Sequence, residues 1–100
     1  MYKLLVLYPY PDDPQAFLDY YRQHHLPLVK QLPGLLASRF GQPQAFGAKP
    51  APYFLVFEAE FADEQALAAA LSSPQGKAVG ADVANYSPKG ATMLRLLVES

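Results

Sequence analysis

Two segments near the ends of the chain are apolar on both of their faces, and this restricts the fold more than any other feature. Residues 2–8 read Tyr-Lys-Leu-Leu-Val-Leu-Tyr. In a strand, Tyr2, Leu4, Val6 and Tyr8 point one way and Lys3, Leu5 and Leu7 the other. Residues 91–98, Ala-Thr-Met-Leu-Arg-Leu-Leu-Val, carry apolar residues on both sides too. Strands of this kind need cover on both faces.

The residues between them supply only part of that cover. Asp13 is a good N-cap and Pro14 suits the first helical position, so a helix is expected from Pro14 to about Lys30. At about 100° per residue, Phe17, Leu18, Tyr21, Leu28, Val29 and Leu32 share one of its faces. Pro33-Gly34 ends it. Residues 35–41 read as a second strand. Residues 42–52 hold three prolines and read as a long loop. Residues 53–61 are the clearest strand, with Tyr53, Leu55, Phe57, Ala59 and Phe61 on one face. Asp63 caps an alanine-rich helix to about Leu71, and Ser73-Pro74 opens another to about Asn85.

Strand, helix, strand, strand, helix, strand is the ferredoxin-like βαββαβ plan, an α+β fold with a four-stranded antiparallel sheet. Its helices cover one sheet face. A second copy of the chain is the simplest cover for the other, giving a homodimer through the open sheet face, a dimeric α+β barrel. Composition agrees: 51% of residues are hydrophobic and only 17% charged, few for a small surface that stands alone. Residues 1–100 read as one domain.

Several function classes drop out. The net charge is -1 and no basic stretch exists, so a nucleic-acid partner is not expected. Cysteine is absent, which removes thiolate chemistry and cysteine-metal sites. No run approaches the roughly 18 apolar residues that span a bilayer, and the N-terminal apolar run is short for a signal peptide. A soluble cytoplasmic chain with no membrane partner is expected. Neither a glycine-rich phosphate loop nor a nucleophile elbow occurs, so no nucleotide cofactor is expected.

The candidate chemistry centres on His24 and His25, the two histidines of the chain. Histidine can give or take a proton near neutral pH. His25 lies about 20° from the centre of the apolar helix face and His24 about 80° from it. His25 therefore points inward. Pro27 cannot donate its backbone bond and leaves the carbonyl of Gln23 free at that turn. Adjacent histidines diverge by about 100°, which argues against a shared metal ion. Asp82, with Asn85 and Tyr86 after it, can orient a histidine or serve as a helix-end hydrogen bond. The chain has seven tyrosines. A cleft lined by Tyr8, Tyr21 and Tyr53, with Phe17 and Tyr86 nearby, suits a small apolar or aromatic ligand; ordinary core packing is the alternative. Arg39 and Arg95 can bind an oxyanion or pair with Glu58 and Glu60.

Three stretches together resemble the EthD family, small proteins named for ethyl tert-butyl ether degradation. The first is Phe17-Leu18-Asp19-Tyr20-Tyr21-Arg22-Gln23-His24-His25-Leu26-Pro27-Leu28, followed by Leu32-Pro33-Gly34-Leu35. The second is Ser73-Pro74-Gln75-Gly76-Lys77, and the third is Asp82 with Asn85-Tyr86. The family's His-x-Pro-Leu step falls on His25. Phenylalanine is frequent in the family where Tyr86 stands. The resemblance implies a dimeric α+β barrel with a cleft between helices and sheet in each subunit. It does not imply one reaction. Three readings stay open. One is a cofactor-free catabolic enzyme with His25 as acid or base and Asp82 orienting it. The others are a non-catalytic binding or accessory protein and a haem- or oxygen-handling protein.

Overall fold

The computed structural model describes residues 1–99; Ser100, the last position of the expected domain, lies outside them. The elements run β1 (Tyr2–Tyr8), α1 (Pro14–Tyr20), a π-helical turn (Tyr21–His25), α2 (Leu26–Val29), β2 (Ala37–Gly41), β3 (Leu55–Phe61), α3 (Glu64–Ser72), α4 (Pro74–Tyr86) and β4 (Thr92–Leu97). The four strands form one antiparallel sheet in the order β2-β3-β1-β4. This is the α+β, ferredoxin-like arrangement that the sequence pattern predicts.

Strand register sorts the side chains by face. Leu4 pairs with Ala59, Val6 with Phe57 and Tyr8 with Leu55. All six are buried, in one core with Phe17, Tyr21 and Val29 from the first helical region and Leu67 and Ala70 from α3. On the other face Lys3 pairs with Glu60, Leu5 with Glu58 and Leu7 with Val56. There Lys3 and Arg39 both reach Glu58 and Glu60. The edge strand β4 is exposed along its whole length, with Leu94 and Leu96 50% and 43% exposed.

The expected single helix is instead two α segments joined by a π turn. The N–H of Leu26 donates to the carbonyl of Tyr21, five residues back. Phe17, Tyr21, His25 and Val29 are all buried, spaced four apart. In an unbroken α-helix three such steps would drift by about 120° around the axis. The π turn inserts about one residue and takes back most of that drift, so one face stays on the core. Pro27 lies just beyond, where it lacks the N–H that would continue the regular ladder.

The corner between α3 and α4 is equally constrained. Ser73 Oγ accepts from the N–H of Gly76 at 3.0 Å and donates to the carbonyl of Ala70 at 2.6 Å. A Cβ on Gly76 would collide with that carbonyl and lie 2.7 Å from the carbonyl of Leu71. Gly76→Ala is expected to lower the unfolding free energy by about 1–3 kcal/mol, the usual range for overpacking. Urea denaturation of Gly76→Ala beside Gly41→Ala, where a Cβ meets nothing within 4 Å, checks this.

Candidate functional site

A cavity of about 210 Å³ lies between the helices and the sheet. Leu4, Val6, Tyr8, Phe57 and Met93 line it from the strands; His25 and Val29 line it from the first helical region; Gly76, Val79, Gly80 and Val83 line it from α4. None of its lining residues is Lys, Arg, Asp or Glu. Apart from Tyr8, His25 is the one side chain there that titrates.

His25 is 2% exposed. Its Nδ1 lies 2.9 Å from Oδ2 of Asp82, which is itself 8% exposed. The other carboxylate oxygen, Oδ1, accepts from Tyr20 Oη at 2.6 Å and from Asn85 Nδ2 at 3.0 Å. Burial by itself raises the Asp82 carboxyl, but the bonds from Tyr20, Asn85 and His25 together hold it below its ordinary value. The carboxylate is therefore ionised at neutral pH. An ionised carboxylate only accepts, so Nδ1 of His25 must carry the hydrogen. Burial holds the imidazole below its ordinary value of 6.5, against the opposing pull of Asp82. His25 is thus neutral, with its lone pair on Nε2. Among the described residues, the fully buried side-chain polar atom that lacks a partner is Tyr21 Oη. Among the described residues Nε2 of His25 has no hydrogen-bond partner and is not one of the fully buried atoms, so it reaches open space. The cavity provides that space.

Aromatic rings pack around the pair. Tyr21 stacks on His25 with centroids 5.2 Å apart, and Tyr86 lies 4.6 Å from His25. The hydroxyls of Tyr8 and Tyr86 share a hydrogen bond of 2.7 Å. Burial pushes the phenols of Tyr8, Tyr21 and Tyr86 up, so they remain protonated. A second hollow of about 360 Å³ is lined by Phe17, Tyr20, Asn85 and Tyr86 among others.

Not every residue singled out in the sequence belongs here. His25 and Asp82 meet, and Tyr8 lines the cavity beside His25. Phe17 and Tyr86 line the second hollow, and Tyr21 is wholly buried behind both. Tyr53 is not part of the cluster. The expected strand starts two residues late, at Leu55, and a bend at Phe54 breaks the alternation. Phe54 is buried in place of Tyr53, with its ring 5.2 Å from Phe17. His24 is exposed and leans on Tyr20. Arg39 pairs with Glu58 and Glu60, whereas Arg95 pairs with Glu64 at 3.0 Å. Sequence reasoning missed Tyr20 as the third ligand of Asp82. It also missed the stripe Gly76, Val79, Gly80 and Val83, whose i, i+3, i+4, i+7 spacing was there to be read. Among the described residues no group of three or more acidic or histidine side chains could hold a metal ion, and no helix is long and apolar enough to cross a membrane.

A family model described as EthD domain matches residues 11–90. An uncharacterised 11.0 kDa protein from the thcB-thcC intergenic region of Rhodococcus erythropolis is 33% identical over 94% of this chain and 91% of its own length. Among solved structures, an ethyl tert-butyl ether degradation (EthD) family protein from Bacillus halodurans matches with a TM-score of 0.92 and 29% identity, covering 99% of both chains. A dimeric ferredoxin-like protein of unknown function from Jannaschia matches with a TM-score of 0.68 and 25% identity, covering 97% of each.

The geometry of the pair sets a pH dependence. Unfolded, His25 titrates near its ordinary 6.5; folded, it is harder to protonate. Between the two values the unfolded chain binds more protons, so stability rises with pH. This contribution is complete above 6.5 and is lost as pH falls through the lowered folded value. Asp82 acts in the same sense further down: its contribution is present above 3.8 and is lost as pH falls through its own lowered value. Urea unfolding at about pH 7 and about pH 5 should show a loss of stability that His25→Gln largely removes. A wild-type protein equally stable at both would contradict the neutral, buried imidazole.

Proposed function

The chain belongs to the EthD domain family, and from that premise we propose that it binds a small apolar or aromatic compound beside His25 and moves a proton on it without a nucleotide cofactor. One observation carries this reading: a neutral histidine, tied by Nδ1 to a buried carboxylate, stands in the wall of an otherwise apolar cavity. In this role Nε2 takes an acidic proton from the bound molecule and later returns it. The ionised Asp82 keeps Nδ1–H in place and stabilises the imidazolium formed in between. Tyr20 and Asn85 hold the carboxylate. Tyr8 offers a hydroxyl to an oxygen of the ligand. Tyr21, Tyr86 and Phe17 form the packed aromatic backing that keeps water away.

Isotope exchange tests it. In deuterated water, a compound that the protein binds should acquire deuterium at its acidic position, and His25→Gln should slow this by at least a hundredfold, the usual worth of a general base. Tight binding with no exchange and no turnover would instead favour the accessory-protein reading.

The same proposal extends to the assembly. Leu5, Leu7, Val56, Leu94 and Leu96 share the sheet face that no helix covers, and we read all of residues 1–100 as one domain that pairs through this face into a dimeric α+β barrel. The Jannaschia relative, described as dimeric, supports this. Light scattering should give twice the 11.0 kDa of the chain. Leu94→Lys with Leu96→Lys should shift it toward the single-chain mass.

A further inference from the structure

Helix α4 turns one stripe toward the His25 cavity: Gly76, Val79, Gly80 and Val83. The two glycines on that stripe are there for different reasons. A Cβ at Gly76 would strike the backbone of α3, whereas a Cβ at Gly80 would meet nothing within 4 Å. The positive-φ glycines are Gly34 and Gly90, so the backbone at Gly80 does not demand glycine either. A glycine in mid-helix nevertheless weakens the helix relative to alanine.

Its position offers a reason. Gly80 is exposed although it lines the cavity, so it lies where the cavity meets solvent. Met93 of β4 lines the same cavity and is 56% exposed. Gly80 of α4 and Met93 of β4 therefore flank the cavity at its solvent side. At the inner end stands His25, 2% exposed, with Nε2 unpartnered.

We propose that Gly80 is the aperture of this cavity: its missing side chain keeps open a passage between α4 and β4 through which a compact, uncharged molecule reaches His25. The inference rests on the cavity being the ligand site. The lining defines the ligand class further. No fixed charge faces inward, so an ionic ligand finds no partner. The volume of about 210 Å³ exceeds the roughly 150 Å³ of an apolar cavity that holds benzene. One ring, or a branched chain of similar bulk, fits with a single proton-bearing group toward Nε2.

Phenol is a suitable probe, read by the nitrogen resonances of the His25 imidazole. Wild-type protein should show a saturable shift at His25 Nε2 with phenol and none with benzoate, whose charge finds no partner in the lining. Gly80→Ala should melt at a higher temperature and exchange phenol more slowly. Gly80→Leu should keep the fold and weaken phenol binding at least tenfold. Phenol binding to Gly80→Leu with wild-type affinity and exchange rate would overturn the aperture while leaving the His25 site intact. Equal binding of benzoate would overturn the uncharged ligand class. No shift at His25 in the wild-type protein would remove the ligand site itself and the aperture with it. Should Gly80→Leu fail to fold, the exchange rate in Gly80→Ala decides: a rate unchanged from wild type would overturn the proposal.

Discussion

A carboxylate taken out of water must be supplied with donors, and Asp82 is the group around which the helical layer is arranged. It is 8% exposed and ionised. Three bonds stabilise it, from Tyr20 on α1, His25 in the π turn and Asn85 on α4. Leaving a buried charge with too few partners costs several kcal/mol. Tyr20 and His25 are five residues apart, and in a regular α-helix they would point about 140° away from each other. The i→i+5 bonding of the π turn brings them toward one side. The π turn thus serves two ends at once. It keeps the row Phe17, Tyr21, His25 and Val29 on the core, and it lets two residues of that helical region reach one carboxylate of α4.

Much of this was legible in the sequence because it rests on periodicity. Alternation located β1 and β3, caps located the starts of α1, α3 and α4, and a helical wheel turned His25 inward and His24 outward. What escaped notice depends on departures from period. A wheel with a constant 100° step put Leu28 and Val29 on the buried face alike, but the π turn shifts the phase, so Val29 is buried and Leu28 only partly so. The same constant step hides Tyr20 from Asp82. Tyr53 was misplaced for a related reason: alternation was carried two residues beyond the point where the ladder ends, and the bend at Phe54 reverses the faces. The π turn left one trace in the sequence, Pro27, but a missing donor says only that the ladder is broken, not how.

The uncovered sheet face shows how polar residues can sit on a surface that the proposed dimer would bury. Lys3, Arg39, Glu58 and Glu60 form a group of two cations and two anions. Their charges cancel locally, and Arg39 holds Glu58 below its ordinary value. In the proposed dimer this group would enter the interface already paired, so its desolvation is smaller than for isolated charges. The leucines of β1 and β4 would supply the driving force, and the charged group would fix the register between copies. On the opposite face the helices cover β1 and β3 but leave β4 open, and that open side is where the cavity begins.

The two glycines of α4 show how one residue type answers opposite constraints. At Gly76 the obstacle is matter: the carbonyls of α3 occupy the place of a Cβ, and the short approach lets Ser73 bond both helices. At Gly80 the place of a Cβ is empty. Helix propensity would favour alanine there by about 1 kcal/mol, and packing raises no objection. A domain selected for stability alone would fill that position. Stability is commonly given up where access or flexibility is required. The empty position at Gly80 lies on the same α4 stripe that walls the His25 cavity, so the passage it leaves accounts for a glycine that neither the helix nor the core asks for.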